Sequence, residues 1–313
     1  MIDIEQLIRE NPRNFIPNYL ETSLRLSQVI SKISENESLN KQMILKGGSA
    51  VQCYLGNIKR LYLDCDFDFV FNSINNQSQE RVFLKQNLSK IMKNLNYELS
   101  NTKSRCSYSL DSLRFPYKKM SGNTDYIKLE INYSHGEHIY PSTTKKWLDH
   151  DFLLDNEISI LKLEELFGMK IKALLERGSA KDLWDIKNLI EKYESINLEQ
   201  IKKSYLFYFT LATKKFNPLS LEELENMPRR AIVGGLYPYL PKASKIDLDL
   251  MKKEVLSFLK EVLIFTTEEK EFFDYFTKGE YHPELLFQDN DIVERVNNNP
   301  IAKYKVKLKK NII

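Results

Sequence analysis

Between Leu63 and Phe69 the chain reads Leu-Asp-Cys-Asp-Phe-Asp-Phe, and this alternation constrains the fold more than any other stretch. A two-residue period of apolar and acidic side chains is that of a β-strand, whose successive side chains point to opposite faces. One face of this strand, expected over Tyr62–Phe71, must enter a core while the other carries Asp64, Asp66 and Asp68. Like charges this close repel, and each raises its neighbour's pKa unless something positive compensates. A divalent cation is the usual compensator. Mg2+ takes hard oxygen ligands, typically one or two carboxylates plus substrate phosphates. Acidic residues also guard edge strands against pairing with other sheets, so the run alone does not assign a function.

The residues just upstream supply a second half. A short strand is expected over Gln42–Lys46, the Gly47–Gly48 pair turns the chain, and Ser49–Leu55 reads as a helix with Ser49 near its cap. Without Cβ atoms the glycines let backbone approach a phosphate closely. A helix N-terminus then offers free N–H groups and the positive end of its dipole. A lone Gly-Gly-Ser is a common turn; the order strand, turn, helix, acidic strand is what gives it meaning. Together these parts describe a nucleoside triphosphate held for phosphoryl or nucleotidyl transfer, with a metal to polarise the phosphate and stabilise the leaving pyrophosphate.

Around this stretch, helical spacing marks Asn18–Ser34 and, after a polar run, Glu80–Asn94. Tyr97–Leu99, Cys106–Phe115 and Tyr126–Tyr133 are short alternating or aromatic segments that read as strands. From Glu157 the period becomes helical, through ISILKLEELFGMKIKALLER, KDLWDIKNLIEKY, Ile201–Phe216 and Lys252–Ile264. The expected fold class is an α/β N-terminal domain, a mixed sheet with flanking helices, followed by an all-α C-terminal domain. A length of 313 residues suits two domains, divided here at 1–150 and 151–313.

Bulk properties exclude several classes. With 46 basic and 43 acidic residues the net charge is +3, so no global field drives the chain onto nucleic acid or membrane. Three cysteines without a CxxC spacing argue against a disulfide framework or zinc finger. The opening MIDIEQLIRENPRNF lacks the basic and apolar regions of a signal peptide, and no apolar run approaches the ~20 residues of a membrane span. A soluble cytoplasmic protein without a membrane partner is expected. A P-loop and the GxSxG elbow of serine hydrolases are both missing from the sequence.

These residues resemble the AbiEii-type nucleotidyltransferase toxins of bacterial toxin–antitoxin systems, in which KGGTAL is followed by RxSxDxD. The chain reads Lys46-Gly47-Gly48-Ser49-Ala50, then Arg60-Leu61-Tyr62-Leu63-Asp64-Cys65-Asp66. The resemblance implies that Asp64 and Asp66 are the catalytic metal pair and that Asp68 is an extra. Gly47, Gly48, Ser49 and Arg60 fall on nucleotide-binding positions. Tyr62 departs from the family's small hydroxyl residue. Ile127–Tyr133, IKLEINY, is similar to the family strand carrying a third carboxylate, here Glu130. Met169–Gly178 and Lys181–Asp185 look like the family's EKxxALxxR and RDxxD segments. They imply active-site roles for Lys170, also toward nucleotide, and Asp185; Lys181 stands where arginine is usual. The C-terminal LLF…NNNPIAKYKVK matches as well, so the resemblance runs from about residue 17 to 310. It implies transfer of a nucleoside monophosphate from an NTP to an acceptor hydroxyl with Mg2+ or Mn2+, tRNA ends as acceptors in some members, growth inhibition, and a neutralising cognate antitoxin.

The helical block can also be read without the family. Lys170 and Arg177 share a helix face and could hold triphosphate or nucleic acid, while Lys181, Asp182 and Asp185 have the spacing of a surface ion-pair network. Lys170 sits among Phe167, Ile171 and Leu174, so it needs an anionic partner or a route to water. Tyr205, Phe207, Tyr208 and Phe209 read as helical core, and the five lysines of Ala302–Lys310 as a solvated terminus or an RNA-backbone contact. Two other readings compete with the transferase. One is a nucleotide-binding regulator without transfer, which Tyr62 keeps open. The other is a metal phosphohydrolase suggested by His150-Asp151 and by His135-Gly-Glu-His138.

Overall fold

The computed structural model describes residues 3–72, 76–134, 138–149, 154–212 and 220–310. The chain forms two compact units. The first gathers Met1–Tyr133, Ser142–Leu161 and Tyr237–Ser244; the second gathers Ser134–Pro141, Lys162–Leu236 and Lys245–Ile313.

The first unit is built on a seven-stranded mixed sheet in the order β3-β4-β5-β2-β1-β7-β6. Its strands are β1 (Met43–Lys46), β2 (Cys65–Phe69), β3 (Arg105–Cys106), β4 (Leu110–Lys118), β5 (Thr124–Asn132), β6 (Thr143–Asp149) and β7 (Leu154–Ile160). The central β2 runs antiparallel to β1 and parallel to β5. Its helices are α1 (Ile4–Glu10), α2 (Pro17–Ser34), α3 (Glu37–Gln42), α4 (Gly47–Leu55) and α5 (Gln77–Asn94). Pairing puts Leu45 opposite Phe67, Phe67 opposite Ile131, and Phe115 opposite Ile127, all buried. Burying each such side chain contributes about 1.5–3 kcal/mol. Pro17 opens α2 at a position where its missing N–H costs nothing, and the apolar stripe of Leu20, Leu24, Val29, Ile30 and Ile33 packs that helix onto β5 and β7. The alternation in β2 and β5 therefore leaves one face apolar and one face polar.

The second unit is helical among its described residues. It comprises α6 (Leu163–Arg177), α7 (Ala180–Lys192), α8 (Leu198–Thr210), α9 (Glu222–Glu225), α10 (Arg229–Leu236), α11 (Leu248–Val262), α12 (Thr267–Thr277), α13 (Asn290–Asn297) and α14 (Pro300–Lys310). Gly168 lets α6 and α8 approach closely, since a Cβ there would lie 2.6 Å from Ser204 Cβ and from the Tyr205 backbone nitrogen. Glu165, fully buried on α6, accepts hydrogen bonds from the Ile139 and Tyr140 N–H groups at 3.0 Å and from the Tyr208 hydroxyl at 2.6 Å. Tyr205, Phe207 and Tyr208 are core, as their spacing suggested.

Several segments differ from their sequence reading. Tyr97–Leu99 forms no ladder; Asn96 takes a left-handed φ of 61° and the Tyr97 N–H returns to Met92 C=O, so these residues reverse the chain off α5. Residues 157–160 are strand rather than helix. Their Ile-Ser-Ile alternation adjoins the helical period that begins at Leu163, and Ile160 pairs with Leu45. β2 begins at Cys65, three residues later than expected, and ahead of it the Leu61 N–H donates to Tyr239 C=O. The division expected near residue 150 falls between β6 and β7, which pair antiparallel in the sheet. Among the described residues no helix is long and apolar enough to cross a membrane.

Candidate active site

One row of side chains crosses the polar face of the sheet. Arg105 pairs with Ser112, Ser112 with Glu130, Glu130 with Asp66, and Asp66 with Lys46. Paired residues of neighbouring strands share a face, so Asp66 and Glu130 stand side by side although far apart in sequence. Asp64, immediately before β2, is half exposed. Between Asp64 and Glu130 lies the Lys128 ammonium, 2.7 Å from a Glu130 oxygen and 3.8 Å from Asp64 Oδ2. Burial pushes the Asp66 carboxyl up to about 7; the charges of Asp64 and Glu130 add to the shift, while Lys46 and Lys128 oppose it. Burial, helped by the charges of Asp64 and Asp66, holds the Cys65 thiol well above its ordinary pKa. Asp68 is a different case. It is buried and binds Lys46 Nζ at 2.5 Å, so the third acid of the run is closed off in a structural pair.

The glycine turn presses directly on this cluster. Gly47 has a left-handed φ of +68°, and a Cβ there would lie 2.4 Å from Asp66 Oδ2. α4 starts at Gly47, two residues earlier than expected, and no side chain caps its N-terminus. Ser49 is therefore inside the helix. Its buried hydroxyl donates to Asp64 C=O at 3.0 Å, tying the acidic segment to α4. Gly48 makes room for Tyr62: a Cβ would come 2.4 Å from the ring, on which the buried Arg60 guanidinium stacks at 3.9 Å. Arg60 also donates to Leu61 C=O at 3.2 Å. The side chains of Ser49 and Arg60, read from the sequence as nucleotide contacts, thus have internal partners, and Tyr62 fills the space beside Gly48.

In the helical unit Lys170 is buried and donates to Asp182 Oδ1 at 3.0 Å and to Asp185 Oδ2 at 2.7 Å. Arg177 donates to the other Asp182 oxygen at 2.8 Å. The partners that Lys170 requires are the two aspartates of the next helix, and the network ties α6 to α7. Both Asp182 and Asp185 are buried, so this is not a surface network.

Sequence reasoning missed Lys128 as the cation facing Glu130. The signal was present, since Lys128 and Glu130 are two apart in an alternating strand and must share a face. Among the described residues no three His, Cys, Asp or Glu side chains are gathered so that they could hold a metal ion. His138 is buried with Nδ1 3.6 Å from Glu165, whereas His135, Glu137, His150 and Asp151 lie outside the described residues.

A mixed sheet carrying paired acids beside a glycine turn, with helices following, is the architecture of a nucleotidyltransferase. The structure is similar over 99% of both chains to MenT4, a nucleotidyltransferase toxin from Mycobacterium tuberculosis H37Rv, with a TM-score of 0.66 and 12% sequence identity. An antigenic nucleotidyltransferase-like protein from Paracoccidioides brasiliensis aligns over 75% of this chain and 92% of its own, with 18% identity and a TM-score of 0.36. No curated protein matches the sequence. The family model described as nucleotidyl transferase AbiEii toxin, type IV toxin–antitoxin system, matches residues 32–271. The chain belongs to that family and is a nucleotidyltransferase toxin.

Proposed function

We propose that the protein transfers a nucleoside monophosphate from an NTP to a hydroxyl of an RNA acceptor, tRNA being the class the family resemblance suggests, with Mg2+ or Mn2+ bound by Asp64 and Asp66. The observation that carries this reading is the lateral pairing of Asp66 with Glu130 while Gly47 abuts the Asp66 carboxylate. The donor set suits a hard cation: it is all oxygen, and an ammonium is already drawn between Asp64 and Glu130. Bound metal would polarise the α-phosphate and stabilise departing pyrophosphate.

The chain's own groups do the rest. The uncapped N-terminus of α4 and the Cβ-free surface of Gly47 take the triphosphate oxygens, with backbone N–H groups as donors. Glu130 accepts the proton of the attacking hydroxyl. The acceptor oxygen then bonds the α-phosphorus while the bond to the β-bridging oxygen breaks. Lys128, 2.7 Å from Glu130, balances the charge that collects as pyrophosphate separates. Lys170 and Asp185, for which the family resemblance implies a part in this reaction, are bound to each other in the helical unit, where they also hold α6 to α7. A cognate antitoxin restrains the activity in the cytoplasm.

The test is incubation with α-labelled NTPs and total tRNA. Label joining RNA in the wild type, but not in Asp64→Ala, is the expected result. Nucleotide binding without incorporation, or phosphate release without incorporation, would replace this reading with a regulator or a hydrolase.

A further inference from the structure

A cleft of about 710 Å3 opens on the first unit beside Glu130, lined among others by Lys103, Arg105, Ser107, Ser112 and Arg114. Several cations of this unit are matched by acids: Lys46 with Asp68, Arg81 and Lys85 with Asp111, Lys119 with Asp125, and Lys128 with Glu130. Among the described residues no ion pair involves Lys103, Arg105 or Arg114. Three uncompensated positive charges therefore converge on one cleft.

Its position in the sheet separates it from the glycine turn. In the row Lys46–Asp66–Glu130–Ser112–Arg105, Gly47 follows the β1 end, whereas the cleft occupies the β4 and β3 end. Arg105 stands two strands from Glu130, about 10 Å away. Ser112 Oγ lies 3.4 Å from a Glu130 oxygen, so the floor of the cleft is continuous with the carboxylate. One residue beyond Ser107, in the connection between β3 and β4, Tyr108 is 85% exposed. Cations strung along an open groove, with a solvated aromatic residue next in sequence to one of its lining residues, are the pieces that hold a single strand: charge tracks the phosphates and a ring stacks a base.

We infer that this β3–β4 cleft is the binding track for the acceptor strand, a single-stranded RNA end whose phosphates lie on Lys103, Arg105 and Arg114 and whose terminal base stacks on Tyr108. This delivers the terminal hydroxyl to Glu130 from the side opposite the triphosphate. The inference rests on the transfer reading for its purpose, but its test is binding and does not depend on turnover. Lys103 and Arg105 are exposed, so reversing their charge leaves the core untouched.

The probe is a short fluorescein-labelled single-stranded RNA with a free 3′ hydroxyl, titrated by anisotropy at 50 and 200 mM salt. Nucleotide binding is followed separately by the thermal shift each NTP produces with Ca2+. The double variant Lys103→Glu, Arg105→Glu is expected to lose about tenfold or more in RNA affinity and to show a salt slope shallower by about two, with NTP shifts unchanged. Tyr108→Ala is expected to weaken RNA binding about fivefold or more without changing the salt slope. Failure of the wild type to bind the RNA at 50 mM salt overturns the inference. So does RNA affinity within twofold of wild type in the double variant, or loss of the NTP shift together with RNA binding, which would give the cleft to the nucleotide. Asp66→Asn should keep RNA binding while losing label transfer. A wild type that binds RNA through these cations yet transfers no label would sink the transfer reading and leave the track standing.

Discussion

Two groups of carboxylates in this chain are neutralised to different degrees. In the helical unit Asp182 and Asp185 are buried, yet Lys170 reaches both and Arg177 closes on Asp182. In the sheet unit Asp64 and Glu130 share Lys128, and the lysine paired across from Asp66 is bound to Asp68. Asp66 responds by retaining its proton to about pH 7. The saturated cluster works as a fastener between α6 and α7. The unsaturated one is a receptor for more positive charge, and only it can gain from binding a cation.

The largest effect that separates them is on turnover. Asp66→Asn should lower label transfer by about a thousandfold or more, equivalent to about 4 kcal/mol of transition-state stabilisation, while the melting temperature stays level or rises. Transfer within tenfold of wild type would break the comparison. In the helical unit the loss should appear in stability instead. Lys170→Met leaves two buried acids facing each other and should cost about 3–5 kcal/mol in chemical denaturation, most of it recovered when Asp182→Asn and Asp185→Asn are added.

A pH series sharpens the contrast. The folded pKa of Asp66, about 7, lies above its ordinary value, so the native state holds a proton that the unfolded chain releases. Stability from this group is therefore greatest below the ordinary carboxylate pKa and is lost as pH rises toward and through 7. In metal-free buffer the loss should be roughly 2 kcal/mol after allowance for solvent screening, and Asp66→Asn should abolish it. Millimolar Mg2+ should restore more melting temperature at pH 8 than at pH 6.

Gly47→Ala forces a side chain into a left-handed conformation and against the Asp66 carboxylate, so about 1–2 kcal/mol of stability should go. Its loss of transfer should exceed what the unfolded fraction explains. Smallest is Lys128→Met, expected to change stability by under about 1 kcal/mol because the lysine is partly solvated. In nucleotide-free protein it should tighten Mn2+ binding, read by the loss of the free-ion resonance signal, since the competing ammonium is gone.

The sequence made the central strand and its acids readable because period two is unmistakable where Asp alternates with Cys and Phe. The same rule put Glu130 on a polar face, but only pairing could show that it stands beside Asp66. Residues 157–160 were lost to helix because three alternating residues adjoin a much longer helical period. Ser49 and Arg60 show another limit. Both sit in the motif, yet the hydroxyl ties down Asp64 C=O and the guanidinium lies on Tyr62, partnerships set by packing across the turn. The division near residue 150 followed a change of periodicity, which does not reveal that β7 returns to pair with β1.

Because β2 meets β5 side by side, and β1 in turn waits for Ile160, the acidic face cannot exist on a partly synthesised chain. The polar row that Asp66 shares with Glu130 is therefore a late product of synthesis, and a chain that stops before β5 never assembles it.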